Sequence, residues 1–343
     1  MESIQELLRK LCKCIVKSDD GYKINIELEK SDPEPSPDPK PDPEIDPNSP
    51  EAKFDPNIPL FIENAQETPI GFCMECDSAD VNNRNISYSY DNIAWQPLTF
   101  TDSSSAYLSE DIILYRKGDR AYFKGEAANG LVSGTIYPAR FVNKWIPSDC
   151  CVDVGGNITS LFYGKDDKFK TDYLDLSNIT HTSSKSMIGT LFGRAGGFSD
   201  YIRIPPALPA TTLCPGCYES FFYNYDAKSR LEYIPVLPAK KLETECYYNM
   251  FFGGGGGLSV SGKHDKLYCY TILAEDITKD GFLNTFLYAK YFKIINPDII
   301  EKLKNATGGS TNRLDKHGII YCPTDPGNKL PVGWKWVKIP PLE

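Results

Sequence analysis

The chain has 343 residues, of which 41% are hydrophobic and 12% aromatic, and its net charge is −9. It is long enough for two or three domains and apolar enough for folded cores, which excludes a protein that is disordered throughout. No long basic run is present, which argues against a nucleic-acid partner held through its phosphates, and no stretch of about 18 apolar residues predicts a membrane-spanning helix.

Residues 1–30 predict a docking or oligomerisation segment. Apolar side chains recur at helical spacing over residues 2–16, with charged residues on the other faces. These apolar side chains are Ile4, Leu7, Leu8, Leu11 and Ile15. Such a helix either lies back on its own protein or packs against a partner, and we expect the second.

The residues around this helix add two expectations. Alternating apolar residues from Tyr22 to Leu28 predict a short strand. Charges interrupt the first twenty residues throughout, so the segment does not match a secretory signal with its uncharged core.

Residues 31–59 predict an acidic, proline-rich stalk. Ten prolines fall between Pro33 and Pro59, and residues 31–58 hold eight acidic side chains and two lysines. Proline restricts φ and biases the preceding residue to extended backbone, while like charges oppose collapse. We therefore expect a semi-rigid polyproline II spacer.

Residues 60–154 predict an antiparallel β-sandwich, because short alternating segments are separated by turn residues. A strand is expected over Asn85–Tyr90, and Ile93–Trp95 is expected to begin the next one after a turn at Asp91 and Asn92. Ile112–Tyr115 and Arg120–Lys124 flank a Lys-Gly-Asp turn, which predicts a hairpin of two paired strands.

Residues 155–275 contain an internal repeat with a period of 29 residues. Pro205–Phe222 reads PPALPATTLCPGCYESFF, and Ile234–Phe251 reads IPVLPAKKLETECYYNMF. A degenerate earlier copy ends at Phe192. A fixed period of this length predicts a solenoid whose copies stack, each with an extended segment and then a helical one such as Cys246–Phe251.

Residues 276–343 predict a cap that ends the stack. A helix is expected over Asp298–Lys304, directly after Pro297. Strands are expected over Gly318–Cys322 and Gly333–Lys338. The predicted fold class is thus multi-domain and β-rich with α+β repeats. It combines an N-terminal helix, a proline-rich stalk, a sandwich, a short leucine-rich-repeat-like solenoid and a C-terminal cap.

The eleven cysteines include two CxxC pairs, Cys73/Cys76 and Cys214/Cys217. Together they could form a four-thiolate zinc site. Cys217, however, has a repeat equivalent in Cys246, which favours a small buried apolar side chain over a ligand. An odd number of cysteines is typical of a protein made in a reducing cytoplasm, and no metal or other cofactor is predicted.

No residue pattern indicates catalysis, and we expect a protein that is not an enzyme. His181, His264 and His317 form no two-ligand spacing, and no G-x-S-x-G elbow is present. The paired carboxylates of a glycan-cleaving enzyme leave no sequence signature because their separation is spatial, so that activity stays open.

The repeat resembles the BspA-type leucine-rich repeat in three segments: Pro206–Leu213, Cys217–Tyr218 and Phe221–Phe222. Ile86–Leu98 and Tyr122–Gly125 resemble the β module that precedes such repeats. Gly156–Gly164 resembles the start of the array, and Gly318–Cys322 with Leu330–Trp334 resembles its terminal cap. The resemblance covers about residues 80–343, but the array has two good copies and lacks the cysteine-rich linker of the family.

Proteins of this family occur on the surface of gut Bacteroidetes and in virions of phages that infect them, including crAss-like phages. The resemblance, with the N-terminal segment and stalk, implies a homo-oligomeric fibre on the virion surface, made in the host cytoplasm. A head (capsid) fibre is expected, docked on the capsid or another virion protein through Ile4, Leu7, Leu8, Leu11 and Ile15. Its distal domains are expected to bind a host surface protein or glycan.

Three alternatives stay open at the level of sequence. They are an exported bacterial adhesin, a tail fibre and a glycan-cleaving enzyme. Tyr223, Tyr225 and Tyr248 could stack on glycans or pack within the repeat stack, and none of them is assigned as a site.

Overall fold

The computed structural model describes residues 15–18, 21–24, 54–76, 85–103, 106–126, 140–177, 191–193, 198–222, 231–232, 234–250, 269–277, 291–306 and 318–340. Over these ranges the fold is β-rich, as predicted, with several sheets and few helices. The chain divides into two compact units, Met1–Ser49 and Pro50–Glu343. Within the described ranges, no helix has the length and apolar character needed to cross a membrane.

The described residues of the first unit form a hairpin. Strand β1 (Ile15–Ser18) pairs antiparallel with β2 (Gly21–Ile24), with Ile15 opposite Ile24. The strand predicted from Tyr22 is therefore confirmed over its first three residues. Ile15, predicted as the last apolar residue of a helix, instead begins a strand, because its backbone pairs across the hairpin. Residues 31–53 of the predicted stalk lie outside the described residues, as do Ile4, Leu7, Leu8 and Leu11.

Two sheets form the first part of the second unit. Their strands are β3 (Leu60–Asn64), β4 (Ile70–Cys76), β5 (Ser87–Ser89), β6 (Gln96–Pro97), β7 (Phe100–Ser103), β8 (Ala106–Ser109), β9 (Ile112–Leu114), β10 (Arg120–Lys124), β11 (Arg140–Asn143), β12 (Val152–Gly155) and β13 (Ile202–Ile204). The larger sheet has the order β13-β12-β3-β10-β5-β6. The smaller has the order β11-β4-β8-β7, with β9 also paired to β4. Their pairings are antiparallel except β12 with β13.

Alternating side chains pack the two sheets against each other. In β10, Ala121 and Phe123 are buried while the residues between them are partly exposed, as expected for a strand with one face on the core. The ring of Phe123 lies 6.4 Å from that of Phe72 in β4 and 5.0 Å from that of Phe141 in β11. Rings from both sheets therefore share one core.

The same rings continue into the repeats. Phe141 also contacts Phe192 and Phe198, at 5.5 and 5.7 Å between ring centroids. Phe192 in turn lies 5.2 Å from Phe221 of the first repeat copy. The core is thus continuous across the predicted domain boundary between residues 154 and 155, which falls inside β12.

A junction after β12 holds this continuous core together. The Asn157 side chain donates to the carbonyl oxygens of Phe169 at 2.7 Å and Pro56 at 3.2 Å, and it accepts from the Thr159 hydroxyl at 2.7 Å. Asn157 is fully buried, so these bonds satisfy an amide that would otherwise be costly to bury. They tie residues 56–59 to the segment that follows the sheets.

Helix α1 (Ser160–Tyr163) completes the junction. The Ser160 hydroxyl donates to the carbonyl oxygen of Phe123 at 2.7 Å and accepts from the amide of Leu60 at 2.9 Å. Gly164 donates its amide to the carbonyl oxygen of Gly125 at 2.8 Å. The segments Tyr122–Gly125 and Gly156–Gly164, which are distant in sequence, therefore meet.

Gly156→Ala is expected to lower the free energy of unfolding by at least about 2 kcal/mol. Gly156 has a φ of 71°, and a Cβ atom there would lie 2.1 Å from the carbonyl oxygen of Pro59. Both the backbone conformation and the neighbouring segment would have to change. Urea unfolding of the purified chain measures the effect.

Gly327→Ala is the matched control for this prediction. Gly327 also has a positive φ, 55°, but a Cβ atom added there would have no described atom within 4 Å. Gly327→Ala should therefore lower the free energy of unfolding by only about 1 kcal/mol, the cost of a left-handed backbone at a residue with a Cβ atom. Equal losses in the two variants would contradict the argument from crowding.

The two repeat copies stack in one register. The amides of Gly216, Tyr218, Ser220 and Phe222 donate to carbonyl oxygens of the second copy at 2.7–3.0 Å. The acceptors are Thr244, Cys246, Tyr248 and Met250, each one residue before the donor's repeat equivalent. Equivalent rings also stack: Tyr218 on Tyr247 at 5.7 Å and Phe192 on Phe222 at 6.3 Å, each pair inclined by 10°.

The helical segment predicted in each copy is wrong. Residues 215–222 and 244–250 form successive turns. Positive φ recurs at equivalent positions, in Gly216 and Glu245 and again in Ser220 and Asn249. These left-handed residues interrupt an α-helix, and alternate amides of the first copy bond the next copy instead of a carbonyl in their own turn.

Parallel pairing continues to the C-terminal end. The remaining elements are β14 (Lys241–Leu242), β15 (Cys269–Ile272), β16 (Asp276–Ile277), β17 (Tyr291–Ile294), α2 (Ile299–Ala306), β18 (Ile319–Cys322) and β19 (Lys335–Lys338). β14 pairs with β16, and β15-β17-β18-β19 form a parallel sheet in chain order. The helix and the two strands predicted after residue 297 are confirmed, with bounds shifted by at most two residues.

Candidate binding cleft

The strands β9 and β10 do not form the predicted hairpin. β9 pairs with β4 in the smaller sheet, whereas β10 pairs with β3 and β5 in the larger one. The connection between them, residues 115–119, therefore crosses from one sheet to the other. The hairpin prediction is wrong because each strand found a partner that lies far away in sequence.

Hydrogen bonds hold this crossing turn in one conformation. The Asp119 carboxylate accepts from the amides of Tyr115 at 3.0 Å and Arg116 at 2.8 Å. Gly118, with a φ of 88°, donates its amide to the carbonyl oxygen of Asn64 at 2.8 Å. The Asn64 amide donates to the carbonyl oxygen of Asp119 at 2.9 Å. The turn is thus fixed to the end of β3.

A cleft of about 770 Å³ opens beside this turn. Its walls are formed by Tyr90, Asp111, Ile113, Leu114, Tyr115, Gly118, Asp119, Arg120 and Tyr122. Tyr115 is 62% exposed and Tyr90 46% exposed, although both are large aromatic side chains. The volume lies in the range of pockets that bind small molecules, and aromatic walls with a few polar groups are typical of such pockets.

Tyr90 is positioned by the bend that follows β5. The Asp91 carboxylate accepts from the amides of Ile93 and Ala94, each at 2.8 Å, and from the Ser89 hydroxyl at 2.8 Å. These bonds lower the pKa of Asp91. The strand predicted to begin at Ile93 consequently begins at Gln96, three residues later. The ring of Tyr90 packs edge-on against Tyr88 at 5.6 Å.

Arg120 supplies the positive charge of the cleft. Its Nε donates to Glu63 Oε2 at 2.7 Å, and its guanidinium lies 4.4 Å above the ring of Phe61. Burial disfavours the charged guanidinium, but hydrogen bonds with Tyr122 and Glu63 outweigh burial and raise the pKa of Arg120. The side chain is therefore held, charged, against the wall of the cleft.

Arg120 begins a row of charges that crosses the larger sheet. The row consists of Arg120, Glu63, Asp153, Arg203 and Glu232. Glu63 and Asp153 lie directly opposite each other on β3 and β12, which is unfavourable for like charges. Arg120 binds Glu63, and Arg203 binds both oxygens of Asp153 at 2.9 and 2.6 Å. One arginine on each side thus balances the two acids.

The arrangement can bind a ligand that combines apolar faces with hydroxyl groups. Burial raises the pKa of Tyr90, and a hydrogen bond with the backbone of Ile113 partly offsets this. The phenol therefore stays protonated at neutral pH and can donate as well as accept. Asp111 adds an acceptor and Arg120 adds donors.

Of the tyrosines suggested by the sequence, Tyr248 does not line this cleft. Tyr248 is half-buried, and its backbone lies in the bonds between repeat copies. Tyr223 and Tyr225 lie outside the described residues, as do His181, His264 and His317. No local signal marks the cleft, because its residues come from strands of different sheets.

The CxxC pairs lie in two different parts of the second unit. Cys73 and Cys76 are buried in β4, and Cys214 and Cys217 are buried in the first repeat copy. Burial raises the pKa of Cys73 to about 12 and raises that of Cys217 as well. Among the described residues, no group of three or more His, Cys, Asp or Glu side chains is arranged to hold a metal ion.

Comparisons with protein-family models, with curated proteins and with solved structures found no match.

Proposed function

We propose that this chain is a virion structural protein of a phage, a head (capsid) fibre that docks through its N-terminal segment. Its second unit is a non-catalytic adhesion module that faces a host surface protein or glycan. The observation that carries the proposal is the register of the repeat copies, in which equivalent tyrosines stack and four amides bond the neighbouring copy. This is the packing expected of the BspA-type repeats that the sequence resembles.

Two further features support a displayed module. The division after Ser49 separates an N-terminal unit from the body that carries the cleft. At the other end, β19 exposes Lys335 and Lys338 and is followed by Pro340. Lysine and proline at a sheet edge oppose pairing with a further strand, which suits the end of a stack.

Adhesion by such a fibre would depend on the number of copies. A shallow cleft that binds weakly can still hold a particle when many copies engage one surface, because later contacts are intramolecular. A bacterial adhesin of this type would gain from many copies in the same way. Detection of the chain in purified particles is therefore the measurement that separates a virion fibre from a bacterial adhesin.

Particles purified from an infected culture should contain the chain, as detected by mass spectrometry. Deletion of residues 1–30 should abolish its incorporation, while circular dichroism shows that the remaining chain folds. A second deletion, of residues 1–14, removes Ile4, Leu7, Leu8 and Leu11 of the predicted helix and keeps the β1–β2 hairpin, which begins at Ile15. Incorporation of the longer deletion would overturn the docking role, and absence of the full chain from particles would overturn the virion assignment.

A glycan-cleaving activity is the second candidate, because Asp111 and Asp119 line the same cleft. Two carboxylates on one cleft are the minimum for glycoside hydrolysis. The Asp119 carboxylate already accepts hydrogen bonds from the backbone amides of Tyr115 and Arg116, which favours a structural role for this residue. Release of reducing sugar by the purified chain, and its loss in Asp111→Asn, would establish the activity.

A further inference from the structure

We infer that the cleft binds an uncharged saccharide, in preference to an anionic one. This inference rests on the proposed adhesion function and specifies the ligand class for it. The shape of the cleft, its tyrosines and the balance of its charges all favour such a ligand.

The shape of the cleft suits one or a few sugar rings. Its volume of about 770 Å³ exceeds that of a single small metabolite. Tyr90 and Tyr115 keep much of their surface exposed within it. Sugar rings present C–H faces to aromatic rings and hydroxyls at their edges, which matches amphipathic tyrosine side chains.

Hydrogen bonds hold the backbone segments that carry the tyrosines of the cleft. Tyr90 precedes a bend in which the Asp91 carboxylate accepts three hydrogen bonds. Tyr115 begins a turn, and its amide donates to the Asp119 carboxylate. Tyr122 belongs to β10 and lies 5.7 Å from the ring of Phe61. Preorganised walls reduce the conformational entropy that the protein loses on binding, which matters for a weak, repeated contact.

The charges of the cleft disfavour an anionic ligand. Asp111 and Asp119 both line it. Arg120 is the one arginine among the described residues of its walls, and it forms an ion pair with Glu63. A sialic acid, uronate or sulfate would therefore meet two carboxylates and a cation that already binds another acid. A ligand with hydroxyls alone can accept from Arg120 and donate to Asp111.

A compact organic cation is the other ligand that tyrosines and carboxylates can bind. The geometry favours the saccharide, because the Arg120 guanidinium lines the same space and would repel a cation.

The test is calorimetric titration of the purified full chain with three sets of probes. They are neutral oligosaccharides built from glucose, galactose, mannose or N-acetylglucosamine, then sialyllactose and chondroitin sulfate oligosaccharides, and then choline. At least one neutral oligosaccharide should bind, and the anionic probes and choline should bind at least tenfold more weakly.

Tyr115→Ala should weaken the neutral probe about tenfold, the loss of one well-placed aromatic contact. Asp111→Asn should weaken the same probe, whereas a site for anionic glycans would bind its ligand more tightly after this change. Tyr173→Ala is the matched control, since Tyr173 packs edge-on against Phe54 and does not line the cleft. The Tyr173→Ala variant should bind the neutral probe with the same affinity as the unchanged chain.

The outcomes separate this inference from the fibre proposal. Preferential binding of an anionic probe or choline would overturn the inference, as would binding that survives Tyr115→Ala. Chains that assemble into particles but bind none of the neutral probes would also overturn it and leave the fibre proposal standing. Neutral-saccharide binding by a chain absent from particles would overturn the fibre proposal alone.

Discussion

Phe141→Ala is expected to lower the free energy of unfolding by about 3–5 kcal/mol. The ring is 1% exposed and contacts four others, Phe72, Phe123, Phe192 and Phe198, at 5.0–6.0 Å between centroids. Its removal would leave a cavity where both sheets meet the repeat segment. Chemical denaturation followed by circular dichroism and intrinsic fluorescence measures the loss.

Two comparison variants make this prediction specific. Phe141→Leu keeps most of the volume and should lose only about 1–2 kcal/mol. Tyr115→Ala removes an aromatic side chain that is 62% exposed and should stay within about 0.5 kcal/mol of the unchanged chain. A small loss in Phe141→Ala would mean that the sheets and repeats do not share one core.

Arg203→Met should be the second most destabilising of these changes, at about 3 kcal/mol. The substitution removes the two hydrogen bonds that Arg203 donates to Asp153, whose side chain is 1% exposed and which lies opposite Glu63. Two neighbouring carboxylates would then lie beside one arginine of the row, Arg120, in place of two. The effect is expected in urea unfolding at neutral pH and moderate salt.

Removing the neighbouring charge serves as the control for this variant. Glu232 lies 3.8 Å from Arg203, and both side chains are about one-third exposed. Glu232→Gln should therefore cost less than about 1 kcal/mol, as is usual for exposed ion pairs. Arg203→Lys keeps the charge but loses the bidentate hydrogen bonds to Asp153, so an intermediate decrease in the free energy of unfolding is expected. If Arg203→Met and Glu232→Gln had equal effects, the buried pair would have no special role.

The local parts of the fold were predictable from the sequence. Helix α2 and strands β18 and β19 follow from apolar spacing and from Pro297, since periodicity and proline act within a few residues. The 29-residue repeat identified which residues are equivalent, and Tyr218 and Tyr247 stack accordingly. The equivalence of these residues follows from the sequence, because similar copies bury the same positions of the repeat against each other.

Other features depended on contacts between distant residues. Segments 215–222 and 244–250 have apolar spacing that fits a helix, but hydrogen bonds to the adjacent copy and recurring positive φ make them turns. Likewise, Ile112–Leu114 and Arg120–Lys124 read as a hairpin because they flank a turn signal. Pairing energy is similar for any suitable edge, so the partner was decided by which strands the core brought together.

The cleft shows the same division most clearly. The sequence by itself determined a β-rich protein with an internal repeat, an acidic proline-rich segment and a C-terminal segment of one helix and two strands. Only the tertiary structure placed Tyr90, Tyr115 and Asp111 around one space, by sending β9 and β10 to different sheets. Side-chain periodicity is a local property, whereas a binding site arises from long-range strand pairing that no local pattern encodes.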